Sequence, residues 1–465
     1  MRQGKAVEAV LKSMLGDRNV MNKDISKYTT DWQGQYGGKG SLVIFPRSTD
    51  DVSKALKYCD NNGLKVVPQS GNTSLVAGSV PVDTELVLSF EKMNKIESFD
   101  EISGVVRCQV GVILQDLQKY LGEKGFVSPY DLGARGSCMV GGNLSTMAAG
   151  IHFVKYGSLR NYVLGIEAVL ANGDILDMMQ TVRKDNTGPD LKQLFIGSEG
   201  TLGVITEANI LCPKKDKYSK LVFLKTKDYE NVLKIHSEAR GFLKKSLNAI
   251  EYLDLGSYSI VESHQPTLKF PYESKHCDKD SYFMLIEISG EKEADLETTL
   301  MDFCMKIDKL TDDILTCQSL ADERNFWEIR ERVAESCVKS GDVLKYDLSI
   351  DISLNDELLK YTRQLLGDKA SLVSGYAHIG DGNIHMNIVV NPKYDWKQVK
   401  QDCEPHIMAF VVKHRGSISA EHGIGYVKAH YMDLQKGKLV MDSMRKLKKL
   451  YDPNFTLNPG KIFEL

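Results

Sequence analysis

The sequence predicts an α+β protein of more than one domain, and three observations lead there. Residues 40–213 are rich in glycine and alternate short apolar runs with helical patterns. Residues 214–370 hold few glycines and more charge, with long helical periodicities interrupted by strands. A basic amphipathic helix expected at 432–451 and a loop from Pro453 to Gly460 close the chain. At 465 residues there is enough chain for two or three domains with full cores. The change of composition at Cys212-Pro-Lys-Lys215 places the expected boundaries: 1–213, 214–420, and a C-terminal helical segment over 421–465.

The elements follow from pattern. Ser41–Phe45 and Leu64–Pro68 are apolar runs that read as strands, and Pro46–Asp50 leads into an amphipathic helix through Cys59. Glu85–Ser89 and Gly104–Val110 read as further strands, followed by a helix at Leu114–Gly122. Val163–Leu170 and Ile175–Met178 form a predicted hairpin across Ala171-Asn-Gly-Asp174. Phe326–Val338 reads as one helix, with Phe326, Ile329, Val333 and Cys337 at core spacing. Arg330 lies on an adjacent, mostly uncharged stripe, while Arg332 pairs with Glu328 on the solvent face. Val343–Ile352 alternates cleanly: Leu344, Tyr346, Leu348, Ile350 and Ile352 face the core, and Lys345, Asp347, Ser349 and Asp351 face the other way.

Bulk properties exclude several classes. The net charge is −3, so no global basic field invites nucleic acid. The sequence has no apolar run of eighteen residues, so no membrane span is expected. Nine cysteines are scattered without a C-x-x-C pair, which argues for free thiols in a reduced compartment rather than a cysteine zinc site. The N-terminus lacks a secretory apolar core and shows a helical pattern at Val7, Val10, Leu11, Met14 and Leu15.

One segment points to chemistry. His378-Ile-Gly-Asp-Gly-Asn-Ile-His385 centres a hairpin signal on Asp381-Gly382. A two-residue turn there pairs 380 with 383, 379 with 384 and 378 with 385. The two imidazoles then stand opposite each other with Cβ atoms about 5 Å apart. Tyr376 falls opposite Asn387 in that register, on the same polar face. Glu421, in Ala420-Glu-His-Gly423, completes a His2Glu set with an open position, the ligand pattern of a catalytic zinc. The metal expected is divalent, zinc first, with manganese or cobalt also able to take the site.

Three glycine clusters mark the first half. Val66–Ser79 runs from a strand into a small-residue loop of the kind whose amides bind phosphate. Asp131–Gly150 and Phe195–Thr206 are the others. Neither G-x-G-x-x-G nor G-x-x-x-x-G-K-[ST] is present. Three such clusters in one domain point to close backbone contact with a large ligand, best fitted by a dinucleotide.

These clusters in this order, then the histidine pair, Ala-Glu-His-Gly and the terminal Leu457-Asn-Pro-Gly-Lys461, resemble the FAD-linked oxidases of the vanillyl-alcohol oxidase superfamily over roughly residues 28–465. Arg183–Gly188 and Asp190–Gly203 resemble most closely the D-2-hydroxyglutarate dehydrogenase family within it. The resemblance implies a PCMH-type FAD-binding domain of two subdomains, an antiparallel sheet-and-helix substrate domain, and a C-terminal segment returning to the flavin site.

It implies FAD contacts at Pro68, Gln69, Ser70, Gly71, Asn72, Thr73, Ser74, Gly78 and Ser79 in the first loop. The second cluster adds Gly133, Gly136, Ser137, Gly141, Gly142, Asn143, Thr146 and Gly150, and the rest are Gly200, Val204, Ile205 and Asn458. Many relatives attach the flavin through a histidine where Asn72 stands, so the FAD is expected to be non-covalent. The family has Gly at Ser70, Asn at Met147 and Gly at Ala149, which are departures beside the flavin contacts.

On the substrate side the resemblance assigns Arg330 and Lys345 to carboxylates and Asn387 to orienting the substrate. Two cations argue for a dianion, hence a five-carbon 2-hydroxy diacid oxidised to the 2-oxo acid. The family's Thr at Ala334 is missing, and a D-lactate or related D-2-hydroxy-acid dehydrogenase is the alternative. His422 is the expected base for the hydroxyl proton; the reverse assignment makes His422 the ligand and Glu421 the base. The resemblance further implies electron-transferring flavoprotein as acceptor and mitochondrial residence, and it is compatible with a homodimer.

Overall fold

The computed structural model describes residues 2–32 and 34–464. It divides into two compact units. The first comprises residues 1–149, 158–215 and 421–465; the second comprises 150–157 and 216–420.

The first unit holds two sheets. β1 (Val20–Met21), β2 (Val43–Ile44), β3 (Val66–Gln69) and β4 (Leu86–Ser89) form a four-stranded sheet in the order β1-β2-β4-β3, with β2, β4 and β3 parallel. Its strands are buried apolar runs, as expected of parallel pairs covered on both faces. The helix Thr49–Asn61 is capped by Ser48, whose side chain accepts from the Asp51 N–H, with Asp50 and Asp51 in its first turn. β5 (Ile96–Asp100), β6 (Val105–Gln109), β7 (Val163–Val169), β8 (Ile175–Met178) and β9 (Val204–Leu211) form an antiparallel sheet in the order β5-β6-β9-β7-β8. The helix Leu114–Gly122 buries Leu114, Leu117 and Leu121 on one face. One apolar core runs beneath all of these elements, from Leu11 to Leu457.

The second unit is built on one antiparallel sheet of seven strands. These are β10 (Tyr218–Thr226), β11 (Leu247–Asp254), β12 (Tyr282–Gly290), β13 (Asp313–Thr316), β14 (Val343–Ser349), β15 (Ala370–His378) and β16 (Asn383–Val390), in the order β13-β10-β12-β11-β15-β16-β14. The helices Leu255–His264, Leu320–Glu331 and Val333–Lys339 bring Tyr258, Val261, Phe326, Ile329, Val333 and Cys337 into a core with Leu221, Phe223, Leu253, Phe283 and Leu285 of one sheet face. Ser319 caps the middle helix by accepting from the Asp322 N–H.

Three expectations are corrected. The single helix at Phe326–Val338 is two, Leu320–Glu331 and Val333–Lys339, with a turn at Arg332, where ψ opens to −1°. The basic stretch 432–451 is likewise split at Gly437, into Met432–Lys436 and Lys438–Tyr451. The β15–β16 turn has four residues rather than two: His378 pairs with Asn383, Tyr376 with His385 and Ser374 with Asn387. Asp381 causes this. Its N–H donates to the His378 carbonyl (3.2 Å) and its carboxylate accepts from the Asn383 N–H (2.9 Å), which closes the turn around Ile379–Gly382. A slip of two residues keeps every side chain on its expected face, so the polar row survives the correction.

Candidate active site

In the first unit, the loop at Gln69–Ser79 is tied to itself and to the segment Lys27–Thr30. Gln69 donates its amide to the carbonyls of Tyr28 (2.9 Å) and Ser79 (2.7 Å). Asn72 donates to Lys27 O (3.0 Å) and Thr30 O (2.9 Å) and accepts from Ser79 Oγ (2.9 Å). Ser74 Oγ accepts from the Gly78 N–H (3.1 Å). Gly71, at φ +82°, leaves no room for a Cβ, which would stand 2.4 Å from Ser137 O. A cavity of about 490 Å³ opens here, lined by Gln69, Gly71, Asn72, Gly136, Ser137 and Met139 among others. Its size and its glycine backbone suit a bound cofactor, so the cradle fits part of a dinucleotide.

The remaining flavin candidates spread over neighbouring elements. Pro68 lies on β3, and Val204 and Ile205 lie on β9. Gly141, Gly142, Asn143 and Thr146 lie on the helix Val140–Thr146. Gly133 lies in the Asp131–Met139 loop, Ser70 and Thr73 lie in the first loop, and Gly150 opens the short segment that belongs to the second unit. Met147 ends the helix Val140–Thr146 in the left-handed region, φ +55°. That is a conformation Asn tolerates and Met does not favour.

The loop that carries Glu421 and His422 is fixed by a residue the sequence did not flag. Glu199, buried, accepts the N–H of Ile424 (2.7 Å) and of Gly425 (2.8 Å) on its two carboxylate oxygens. Burial pushes this carboxyl above its usual range, and the two N–H donors oppose that shift. Gly425, at φ +52°, passes so close to Val76 that a Cβ would stand 2.1 Å from its carbonyl oxygen. Asn458 ties the terminal motif to the same place, donating to Glu199 O (2.7 Å) and Gly78 O (3.1 Å). His422 Nε2 lies 3.6 Å from Glu421 Oε1, so the turn at Gly423 lets these adjacent side chains face the same way.

In the second unit, cross-strand register builds a polar lattice. One row reads Glu251, His378, Asn383 and Ser349; the next reads Leu253, Tyr376, His385 and Asp347; the third reads Ser374, Asn387 and Lys345. His378 and His385 meet edge to face with ring centroids 5.1 Å apart, so the structure brings the two predicted histidines together. Tyr376 stacks on His385 at 4.9 Å, and the Arg330 guanidinium lies over Tyr376 at 4.3 Å. Arg330 is buried and engages Glu251 Oε2 through Nε (2.8 Å) and Nη2 (2.7 Å). His378 Nδ1 lies 2.8 Å from Glu251 Oε1. Burial pushes the Lys345 ammonium below its usual range. Asn387 Nδ2 is buried with no hydrogen-bond partner among the described residues, which suits a group reserved for a ligand.

Asp347 was not flagged either. It accepts from Asn383 Nδ2 (2.7 Å), Ser419 Oγ (3.4 Å) and the Ala420 N–H (3.1 Å), and so pins the end of the second unit one residue before Glu421. Both missed carboxylates of this unit, Asp347 and Glu251, lie on strands buried at or near both faces. A charged residue inside such a strand is itself a signal, because burial of an unpartnered carboxylate is prohibitive.

Comparison with known proteins gives the class. Residues 40–179 match the FAD binding domain model, and residues 215–462 match the model of the FAD linked oxidases' C-terminal domain. The chain belongs to the FAD-linked oxidase family. The fold is similar to that of p-cresol methylhydroxylase (TM-score 0.78, 16% identity, 99% of this chain and 97% of that one).

Two relatives are closer in sequence. The mitochondrial D-2-hydroxyglutarate dehydrogenase of Arabidopsis thaliana is 44% identical, over 97% of this chain and 80% of that protein. A protein of Schizosaccharomyces pombe named, provisionally, a mitochondrial D-lactate dehydrogenase is 42% identical, over 97% and 89%.

Proposed function

We propose that this chain is an FAD- and metal-dependent dehydrogenase that oxidises D-2-hydroxyglutarate to 2-oxoglutarate. The observation that carries the reading is the lattice of the second unit. A histidine pair lies beside a row that places Lys345 next to Asn387, and Arg330 stacks over the same face. In this reading Lys345 and Arg330 bind the two carboxylates of a dianion, and Asn387 orients the carbon that bears the hydroxyl. His378, His385 and Glu421 hold a divalent metal, zinc by the chemistry of the donors. His422 takes the hydroxyl proton at its imidazole nitrogen. When bound, the metal supplies a Lewis acid for the hydroxyl oxygen, and the non-covalent flavin supplies an acceptor for the C2 hydride.

The fit of the residues to the groups supports this. His378 offers Nδ1 to Glu251, which directs Nε2 to ligation. Asn72, spent on three loop hydrogen bonds, supplies no nucleophile for a covalent flavin link. Mitochondrial residence follows the names of the relatives, and electron-transferring flavoprotein as acceptor and a homodimeric state complete the proposal.

A D-lactate dehydrogenase is the second reading, favoured by the S. pombe relative and by Ala334 in place of the family's Thr. Steady-state rates separate the two. A charged contact to the second carboxylate is worth about 1.5–3 kcal/mol, so kcat/KM is expected to be about tenfold or more higher on D-2-hydroxyglutarate than on D-lactate. Equal or higher kcat/KM on D-lactate contradicts the diacid reading.

A further inference from the structure

We infer that Glu251 is a positioning residue that sets both the metal-binding nitrogen of His378 and the substrate-facing orientation of Arg330; the inference rests on the metal site proposed above.

Glu251 is fully buried in the middle of β11, a strand whose eight residues are all buried. A lone carboxylate there is strongly unfavourable, and it persists because two partners satisfy it. The partners use different oxygens. Oε2 takes the Nε–Nη2 edge of Arg330 at 2.8 and 2.7 Å; Oε1 takes His378 Nδ1 at 2.8 Å.

The register enforces this. Glu251 is the direct cross-strand partner of His378 on β15, so the two Cβ atoms stand side by side, and the side-chain torsions of the two residues bring carboxylate and imidazole together. Arg330 Nη2 also stands 3.4 Å from His378 Nδ1, but the carboxylate is nearer at 2.8 Å and can only accept, so it makes Nδ1 the hydrogen donor and leaves Nε2 as the lone-pair nitrogen, the tautomer a metal requires. The same carboxylate fixes the plane of Arg330 above Tyr376, which in turn stacks on His385. One buried group thus joins the ligand pair to the carboxylate-binding cation.

A purely structural ion pair makes no demand on metal affinity, and this distinguishes the two roles. Glu251→Gln keeps the volume and one acceptor oxygen but replaces the other by an amide donor. It must therefore leave either His378 or Arg330 facing an N–H.

The measurement is the Zn2+ dissociation constant by chelator competition on purified, FAD-loaded protein, with His385→Ala in parallel. The expected result is about ten- to hundredfold weaker zinc binding for Glu251→Gln, with FAD content unchanged and zinc lost altogether from His385→Ala. Wild-type zinc affinity in a folded Glu251→Gln variant, with zinc lost from His385→Ala, overturns the inference and leaves the metal site standing. Zinc retained by His385→Ala overturns the metal site itself, and Glu251 with it. If Glu251→Gln fails to fold, Glu251→Asp carries the test, because it keeps both oxygens but withdraws them by one methylene. Weakened zinc binding at normal FAD content supports the inference, and unchanged zinc binding overturns it.

Discussion

Glu199 in the first unit and Glu251 in the second are both buried carboxylates, yet their partners differ in kind. Glu199 is held by main-chain N–H groups of a glycine-bearing loop, Ile424 and Gly425. Glu251 is held by charged or ring side chains, Arg330 and His378. The first unit builds its site from backbone, which suits a cofactor recognised by its phosphates and its ring edges. The second builds from side chains projected off a rigid sheet, which suits a small charged substrate and a metal. The difference teaches where each unit is fragile: the first at its glycines, the second at its ion pair.

Four substitutions sharpen that contrast. Glu251→Ala leaves the Arg330 guanidinium buried and uncompensated, and is expected to cost about 3–5 kcal/mol in urea unfolding. Glu199→Ala leaves two N–H groups unaccepted, at about 1–3 kcal/mol. It also lowers kcat, because the loop bearing His422 loses its anchor. If Glu199→Ala destabilises more than Glu251→Ala, the assignment of backbone and ion-pair roles is reversed.

A third substitution concerns acid. Burial pushes the His236 imidazole down to about 4, and its Nε2 has no hydrogen-bond partner among the described residues. The folded state therefore holds fewer protons than the unfolded one between about pH 4 and 6.5. Stability is lost as pH falls through that window. His236→Gln, which cannot charge, is expected to be about 1–2 kcal/mol less sensitive to a change from pH 7 to pH 5. An identical pH dependence in wild type and variant sinks this account.

The smallest effect expected is a gain. Met147 is left-handed at φ +55°, so Met147→Asn should raise the urea midpoint by the equivalent of about 1 kcal/mol. No gain would mean that the contact of Arg160 Nε with Met147 Sδ at 3.2 Å outweighs the backbone strain.

What the sequence made legible divides along the same line. The helix Leu114–Gly122 was readable from apolar spacing, and its observed limits are the same. The strand cores at 66–68 and 86–89 were visible because buried parallel strands leave continuous apolar runs. The histidine pair was visible because a turn signal stands between two like residues. Its register was not, because Asp381 satisfies the turn with its own side chain and adds two residues to it.

Glu251 and Glu199 were hidden for a different reason. Alternation assigns a charged residue in a strand to solvent, and β11 is covered on both faces. Glu199 sits at φ +51° in a loop, where its reach toward Ile424, more than two hundred positions away, has no local trace. The break at Arg332 has no proline or glycine to announce it.

The central claim is that a 2-hydroxy diacid is oxidised on a flavin with the help of a metal held by His378, His385 and Glu421. The most direct test is anaerobic addition of D-2-hydroxyglutarate to the purified chain, following the flavin band near 450 nm before and after chelation of the metal. The account predicts bleaching by the metal-replete protein, at least a hundredfold slower bleaching after chelation, and recovery on adding Zn2+. Bleaching at the same rate in the chelated protein would contradict it.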